Sequence, residues 1–211
     1  MNMSKIKALF LNASLKSSKE PSHTEALYEQ VSKIYHEEEV ETESIRLADY
    51  YIPFGISGDM GNGDEWPLIL DKVKEANIVI IGTPIWLGEK SSLATVAIER
   101  LYGSSGVTNE KGQAIYYNKI GGVVITGNED GAKQAAASTL YGLSHIGFVI
   151  PPNVDTYWVG EAGPGPSFIE ADGKNNAFTQ KHVEMLAYNT IYFAKLLQDN
   201  PIPAKGNVME E

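Results

Sequence analysis

Five polar side chains near the amino terminus have the composition of an anion site. They lie between an apolar run over residues 5–12 and a helical pattern that begins near residue 24: Ser14, Lys16, Ser17, Ser22 and Thr24. The first N–H groups of a helix lack partners within the helix, and the helix dipole favours a negative charge beside them. Hydroxyl groups and a lysine at that position predict a phosphate site. The alternative is an ordinary helix cap, in which Ser22 or Thr24 satisfies the first turn.

A tryptophan follows a second apolar run. Residues 78–81 are β-branched, which is typical of a buried central strand, and Gly82 and Pro84 are expected to end that strand. The loop that follows contains Trp86 and Gly88. At the carboxyl end of a parallel strand, an aromatic ring and free backbone N–H groups suit a flat heteroaromatic ligand. A tryptophan that only packs on the sheet explains the same residues.

A third segment of this kind follows the apolar run at residues 120–126. Its sequence is Gly127-Asn128-Glu129-Asp130-Gly131. Two glycines allow a ligand to approach the backbone closely, although a glycine turn with an Asn or Asp cap has the same composition. Glu89, Glu129 and Asp130 have no histidine at ligand spacing. They are therefore interpreted as caps and solvated charge, with neither a metal site nor a catalytic side chain.

Alternating strands and helices must position these three loops. Strands are expected at residues 5–12, 38–46, 78–81, 120–126 and 148–150. Helices are expected from about residue 24, over 66–76, from about 91, up to about 145, and over 178–199. This alternation predicts a doubly wound five-stranded parallel sheet with helices on both faces. Residues 1–200 are expected to form one domain. Residues 201–211 are expected to be a frayed tail, and 153–176 an ordered lid or subunit contact, or else a surface arm without function.

Composition removes several classes of function. The 211 residues include no cysteine, so disulfides, thiolate metal sites and a catalytic thiol are excluded. The formal net charge of −10 disfavours nucleic acids and anionic membranes as partners. No apolar run reaches the roughly 18 residues that a membrane span needs, and a cytoplasmic location is expected. The G-x-G-x-x-G, G-x-x-x-x-G-K-[ST] and G-x-S-x-G motifs are absent from their structural contexts.

Together the three loops resemble those of NAD(P)H-dependent FMN reductases and related flavodoxin-fold quinone reductases, over roughly Lys5 to Leu197. The first loop is similar to S-x-[RK]-x…[NS]-T in its Ser14-Leu15-Lys16-Ser17 and Ser22-His23-Thr24 segments. The second, Thr83-Pro84-Ile85-Trp86-Leu87-Gly88-Glu89-Lys90-Ser91 followed by Glu99-Arg100, is similar to T-P-[IV]-[YW]-x-G-x-x-S before [DE]-R. The third is similar to G-x-x-x-G. Without cysteines, the chain cannot belong to the iron–sulfur branch of these flavoproteins.

The resemblance implies a flavodoxin-like sheet in the order 2-1-3-4-5, tight non-covalent FMN, and NADH or NADPH as co-substrate. The FMN phosphate would be held by Ser14, Lys16, Ser17, Ser22 and Thr24. The flavin ring would be lined by Pro84, Ile85, Trp86, Leu87 and Gly88. Its other edge would be closed by Gly127, Asn128 and Gly131. The flavin N5 would carry the chemistry, so no catalytic side chain is expected.

Three functions are consistent with this interpretation. The first is an oxidoreductase that passes electrons from NAD(P)H to a quinone, a free flavin or another small acceptor with ping-pong kinetics, and that forms a homodimer or homotetramer. The second is a flavodoxin-like electron carrier without direct NAD(P)H reductase activity. The third is a binding protein that keeps the fold but takes no cofactor.

Overall fold

The computed structural model describes residues 5–209, which form a parallel sheet flanked by helices. Five strands run parallel: β1 (Lys7–Asn12), β2 (Glu41–Arg46), β3 (Ile78–Trp86), β5 (Ile120–Gly127) and β6 (Asp155–Val159). Their spatial order is β2-β1-β3-β5-β6, and the short β4 (Glu89–Lys90) pairs antiparallel with β3. With the parallel strands counted in chain order, this is the predicted order 2-1-3-4-5. The predicted fold class is confirmed.

Helices cover both faces of the sheet. They are α1 (His23–Glu37), α2 (Trp66–Glu75), α3 (Ser92–Tyr102), α4 (Ala132–His145) and α5 (Ala177–Asp199). Consecutive residues of a strand point to opposite faces, and β3 shows this directly. Ile80 joins the core cluster under α1 and α5, whereas Val79 and Ile81 join the cluster that contains residues of α2, α3 and α4. The apolar run of β3 is therefore buried on both sides, as a central parallel strand requires.

Strand β3 does not end where the sequence predicts. Gly82 is paired with Asn12 on one side and Val124 on the other, and the strand continues to Trp86. The β1 ladder ends at the Asn12 pair, so Pro84 has a strand neighbour on one side only. A proline is tolerated there because the sheet does not need a hydrogen bond from its missing N–H at that position. The expected end of the strand at residues 82–84 is therefore wrong.

The fifth strand also differs from the prediction. Of residues 148–150, Val149 makes one isolated bridge to Ile120, and the fifth parallel strand is β6. Strand β6 alternates in burial, with Thr156 and Trp158 buried. The sequence interpretation placed it inside the 153–176 segment because two prolines at 151–152 interrupt the run. The segment beyond β6, residues 160–172, is called the arm below.

Two further segments are ordered by polar contacts. Arg100 of α3 is fully buried and holds the long loop at residues 50–65, donating to the Ser57 carbonyl at 2.9 Å and pairing with Asp64 at 2.5 Å. Burial by itself raises the pKa of Asp64, but hydrogen bonds from Arg100 and two backbone N–H groups outweigh it and hold that pKa below its ordinary value.

The carboxyl-terminal segment is also attached to the body. Asn118 accepts a hydrogen bond from the Ile202 N–H at 2.7 Å, and the Met209 N–H donates to the Gly112 carbonyl at 2.9 Å. Residues 201–209 of the expected tail therefore contact the body of the domain, and residues 210–211 lie outside the described part. None of the helices within residues 5–209 is long and apolar enough to cross a membrane.

Candidate functional site

The carboxyl ends of β1, β3 and β5 open into a cavity of about 510 Å³. The predicted site residues that line it are Ser14, Lys16, Ser22, Thr24, Pro84, Ile85, Trp86, Gly127 and Asn128. Those that do not are Ser17, Leu87, Gly88 and Gly131. The structure thus brings residues of all three predicted loops together, and the four that lie outside have other contacts.

Asn12 fixes the first loop at both of its ends. This buried residue ends β1, and its side-chain amide donates to the Ser22 hydroxyl at 3.3 Å while its carbonyl accepts from the Ser14 N–H at 3.0 Å. Ser22 is the N-cap of α1 and accepts from the Glu25 N–H at 3.2 Å. The expected capping role of Ser22 is therefore confirmed, and it coexists with a place on the cavity wall.

The segment after Ile85 is a β-hairpin, where the sequence interpretation expected an open loop. Leu87 and Gly88 form its two-residue turn, both with positive φ, +51° and +79°. That combination is the type I′ turn that suits the twist of paired strands. Trp86 lines the cavity and is 55% exposed, whereas Leu87 projects into solvent with 95% of its surface exposed.

The hairpin turn is held against the third loop. The Leu87 N–H donates to the Glu129 carboxylate at 2.8 Å. Gly131 has φ +123°, and a Cβ atom built on it would lie 2.3 Å from the Gly88 carbonyl oxygen. Gly88 and Gly131 therefore allow two backbones to meet. Glu129, which the sequence interpretation grouped with caps and solvated charge, lines the cavity and accepts from the backbone of the hairpin.

Glu89 is also ordered by specific contacts. Its carboxylate accepts from the Lys90 N–H at 2.9 Å and from the Ser138 hydroxyl at 3.1 Å. The hydrogen bond from the Lys90 N–H is the main cause that lowers the pKa of Glu89 below its ordinary value. Lys90 in turn donates to Ser138 at 2.9 Å. This network joins β4 to α4, so the base of the hairpin is held as well as its tip.

The arm forms the remaining wall of the cavity. Asn128 donates to the carbonyls of Gly165 at 3.3 Å and Pro166 at 2.9 Å, and accepts from the Ser167 hydroxyl at 3.0 Å. Phe168 is buried edge-on against Trp158, with ring centroids 5.8 Å apart. The side-chain amide of Asn128 is therefore engaged by the arm.

His23 joins the arm to the first loop. Its Nδ1 atom accepts from the Ile169 N–H at 3.4 Å and lies 3.8 Å from the carboxylate of Glu170. His23 is also the first residue of α1, so this contact joins the start of the helix to the arm.

Sequence reasoning missed many lining residues: Leu15, Pro21, His23, Thr126, Glu129, Trp158, Gly163, Pro164, Gly165, Ser167 and Phe168. The Gly163-Pro164-Gly165-Pro166 run between aromatic residues marks an ordered segment. That run does not indicate which part of the protein the segment packs against. Within residues 5–209, no group of three or more His, Asp or Glu side chains could hold a metal ion.

The chain belongs to a flavoprotein family. A family model described as NADPH-dependent FMN reductase matches residues 6–162. That stretch contains β1 to β6 and all three loops. The match confirms the family that the three loops resemble.

The chain is also similar to two relatives and to one solved structure. The 8-demethyl-8-aminoriboflavin-5′-phosphate synthase of Streptomyces davaonensis is 36% identical over 205 residues, which are 93% of this chain and 80% of that protein. The crystal structure of RosB with bound 8-demethyl-8-formylriboflavin-5′-phosphate has a TM-score of 0.87 at 36% identity, covering 93% of this chain and 82% of that one.

A protein of Mycobacterium bovis named divalent metal cation transporter MntH is 43% identical over 199 residues. Those residues are 92% of this chain but only 29% of that protein. The chain therefore spans less than a third of that relative's length. The activity, substrates and partners of the whole protein are accordingly matters for proposal.

Proposed function

We propose that this protein passes electrons from NAD(P)H, through FMN, to a small acceptor such as a quinone or a free flavin. The observation that carries the proposal is the position of two features in one cavity. The amino end of α1 supplies an anion site at one part of the wall, and the half-exposed ring of Trp86 supplies a flat apolar surface at another. A phosphorylated planar molecule needs both.

The donor chemistry of the cavity fits FMN. The Ser22 hydroxyl and carbonyl engage the N–H groups of Glu25 and Ala26, which leaves those of His23 and Thr24 as the helix donors for an anion. The one carboxylate in the lining, Glu129, accepts from the Leu87 N–H. A volume of about 510 Å³ also lies within the range of about 300 to 1,000 Å³ typical of cofactor sites.

Each wall has a separate role in this proposal. Ser14, Lys16, Ser22 and Thr24 would hold the phosphate. Pro84, Ile85, Trp86 and Gly127 would line the ring. The four predicted residues outside the lining would act through backbone support of these walls. The bound cofactor supplies the hydride chemistry, while the arm limits access of water to one side of the cavity.

The test is the absorption spectrum of the protein after FMN is added and the excess removed, followed by NADH or NADPH without oxygen. Flavin bands that bleach within seconds, and that return when a quinone is added, are the expected result. Bands that persist would favour the carrier, and a colourless protein the cofactor-free alternative. Either would overturn the proposal.

A second candidate function follows from the RosB comparison. The molecule bound to that protein is a riboflavin-5′-phosphate altered at position 8, so flavin is what is changed there. This chain could use FMN as a substrate in the same way. After incubation in air with an amine donor, the flavin would be recovered and its mass measured by mass spectrometry. An unchanged mass favours the reductase, and a changed mass favours flavin modification.

We further propose that residues 1–200 form a single FMN-binding domain located in the cytoplasm. We also propose a homodimer or homotetramer whose contacts include the arm. Light scattering at micromolar concentration tests the assembly. A monomer would contradict it without affecting the proposed chemistry.

A further inference from the structure

We propose that Arg46 is the positioning residue for the phosphate end of the cavity, and that through the first loop it makes the site prefer FMN to riboflavin. This inference rests on the proposed function. Arg46 itself does not line the cavity. It ends β2, paired with Asn12 at the end of β1, so its backbone lies one strand away from the loop that it contacts.

The guanidinium group of Arg46 donates hydrogen bonds to several backbone carbonyls of the first loop. Its Nη1 atom donates to the carbonyls of Ser17 at 2.9 Å, Lys16 at 3.1 Å and Glu20 at 3.4 Å. Its Nη2 atom pairs with the carboxylate of Glu25, in the first turn of α1. One side chain therefore contacts both halves of the loop and the helix that follows it.

Arg46 is buried, so these contacts are not a surface ion pair. Only 5% of its side chain is exposed, and its Nε atom has no hydrogen-bond partner. Buried charge-assisted hydrogen bonds are stronger and more directional than exposed ones. A planar fork of donors also fixes the positions of several acceptors at once, which a lysine ammonium cannot do.

The chemistry of a phosphate site explains why such a cation is needed beneath the loop. A carbonyl oxygen carries partial negative charge and repels a phosphate, whereas an N–H group attracts it. In a trans peptide the two point in opposite directions. By drawing the Lys16 carbonyl towards itself, Arg46 directs the Ser17 N–H away from itself. Asp49 reinforces this arrangement by accepting from the Ser18 N–H at 2.9 Å.

The contacts of Arg46 explain why Ser17, a predicted site residue, does not line the cavity. Ser17 belongs to the hydroxyl pattern of the first loop, yet it does not line the cavity, and its carbonyl is held by Arg46. Its part in the site is to keep the loop closed around the guanidinium. Lys16 and Ser14, on the same loop, do line the cavity. The loop therefore has an inner side bound to Arg46 and an outer side that faces the ligand.

The experiment compares the dissociation constants of FMN and riboflavin, measured by the quenching of flavin fluorescence. The wild-type protein is expected to bind FMN more tightly, and inorganic phosphate is expected to weaken only FMN binding. Arg46→Gln should raise the FMN constant about tenfold or more, because several charge-assisted hydrogen bonds that shape the loop are lost. The riboflavin constant should change by less than about threefold, within the ordinary context error of such estimates. Arg46→Lys keeps the charge without the fork and should fall between the two.

Arg100 supplies the matched control. It is another buried arginine with a carboxylate partner and backbone acceptors, but it binds the 50–65 loop and does not line the cavity. Arg100→Gln should lower stability without changing the ratio of the two flavin constants. Trp86→Ala is the opposite control, because loss of the ring contact should weaken both flavins equally.

The outcomes separate the inference from the proposed function. If the wild-type protein binds neither flavin, the proposed function fails, and this inference fails with it. If it binds both equally, or if a folded Arg46 variant keeps the wild-type ratio, only the role of Arg46 is overturned. Circular dichroism would show whether Arg46→Gln folds. If it does not fold, Arg46→Lys is used for the same comparison of the two flavin constants.

Discussion

Two walls of the same cavity are built in different ways. The strand-end wall, made of residues 12–24, the β3–β4 hairpin and residues 127–131, is held by buried groups such as Asn12, Arg46 and Ser91. The tip of the arm, residues 161–166, is exposed throughout, and its side-chain contact is with Asn128. Buried contacts make a wall rigid before a ligand arrives, whereas a segment with few buried contacts opens at low free energy. We therefore propose that the strand-end wall fixes the ligand and that the arm controls access to it.

Two glycines with similar backbones give the sharpest test of this comparison. Gly131 in the strand-end wall has φ +123° and would place a Cβ atom 2.3 Å from the Gly88 oxygen, whereas Gly163 in the arm has φ +112° and open space around it. Gly131→Ala should lower the free energy of unfolding by about 4 kcal/mol, from backbone strain plus the clash. Gly163→Ala should cost about 1 kcal/mol, from strain alone. Urea denaturation measures both, and equal losses would contradict the comparison.

The helix cap at Ser91 should have the next largest effect. Its hydroxyl accepts from the Ala94 N–H at 3.2 Å and donates to the Ala13 carbonyl at 2.7 Å, so it joins α3 to the first loop. Ser91→Ala should cost about 2 kcal/mol, because it removes a cap and leaves a buried carbonyl without its partner. The control is Asn176→Ala, at the exposed N-cap of α5, which should cost about 1 kcal/mol.

Asn128→Ala should act on the arm and leave the strand-end wall intact. The hydrogen bonds from its amide to the arm are each worth about 1 kcal/mol, so their loss should speed amide exchange at residues 160–167 about tenfold. Exchange within β3 should not change, which makes β3 the internal control. Exchange that rises equally in both places would show that the two walls open together, and would refute the proposed division.

The smallest effect is expected at the tip of the hairpin. Leu87 has φ +51° and an exposed side chain, so Leu87→Asn should raise the free energy of unfolding by about 0.5 to 1 kcal/mol. Asn62 supplies the reverse control, with φ +54° in an exposed loop, and Asn62→Leu should cost a similar amount. A loss of stability in Leu87→Asn would mean that the leucine makes a contact outside this chain.

The sequence by itself determined the sheet and much of the strand-end wall. The β-branched run of β3 and the helical spacing after each loop predicted a parallel sheet with helices on both faces, and the family resemblance implied the order of its strands. Parallel strands end at one edge, so Ser22, Trp86 and Gly127 had to meet there. Local chemistry also offered Ser22 as a cap, because a capping side chain reaches only its own first turn.

The contacts that hold the loops in place were decided by the tertiary structure. They join residues that are distant in sequence, so they produce no periodic pattern along the chain. Arg46 lies 29 residues from Ser17, and Asn128 lies 38 residues from Pro166. A lone arginine at a strand end and a Gly-Pro run have many folded uses. Only packing selects among them, since the free energy that favours one arrangement comes from burying groups against partners that the local sequence does not contain. The loops could therefore be predicted from the sequence, whereas the residues that hold them were identified only in the folded structure.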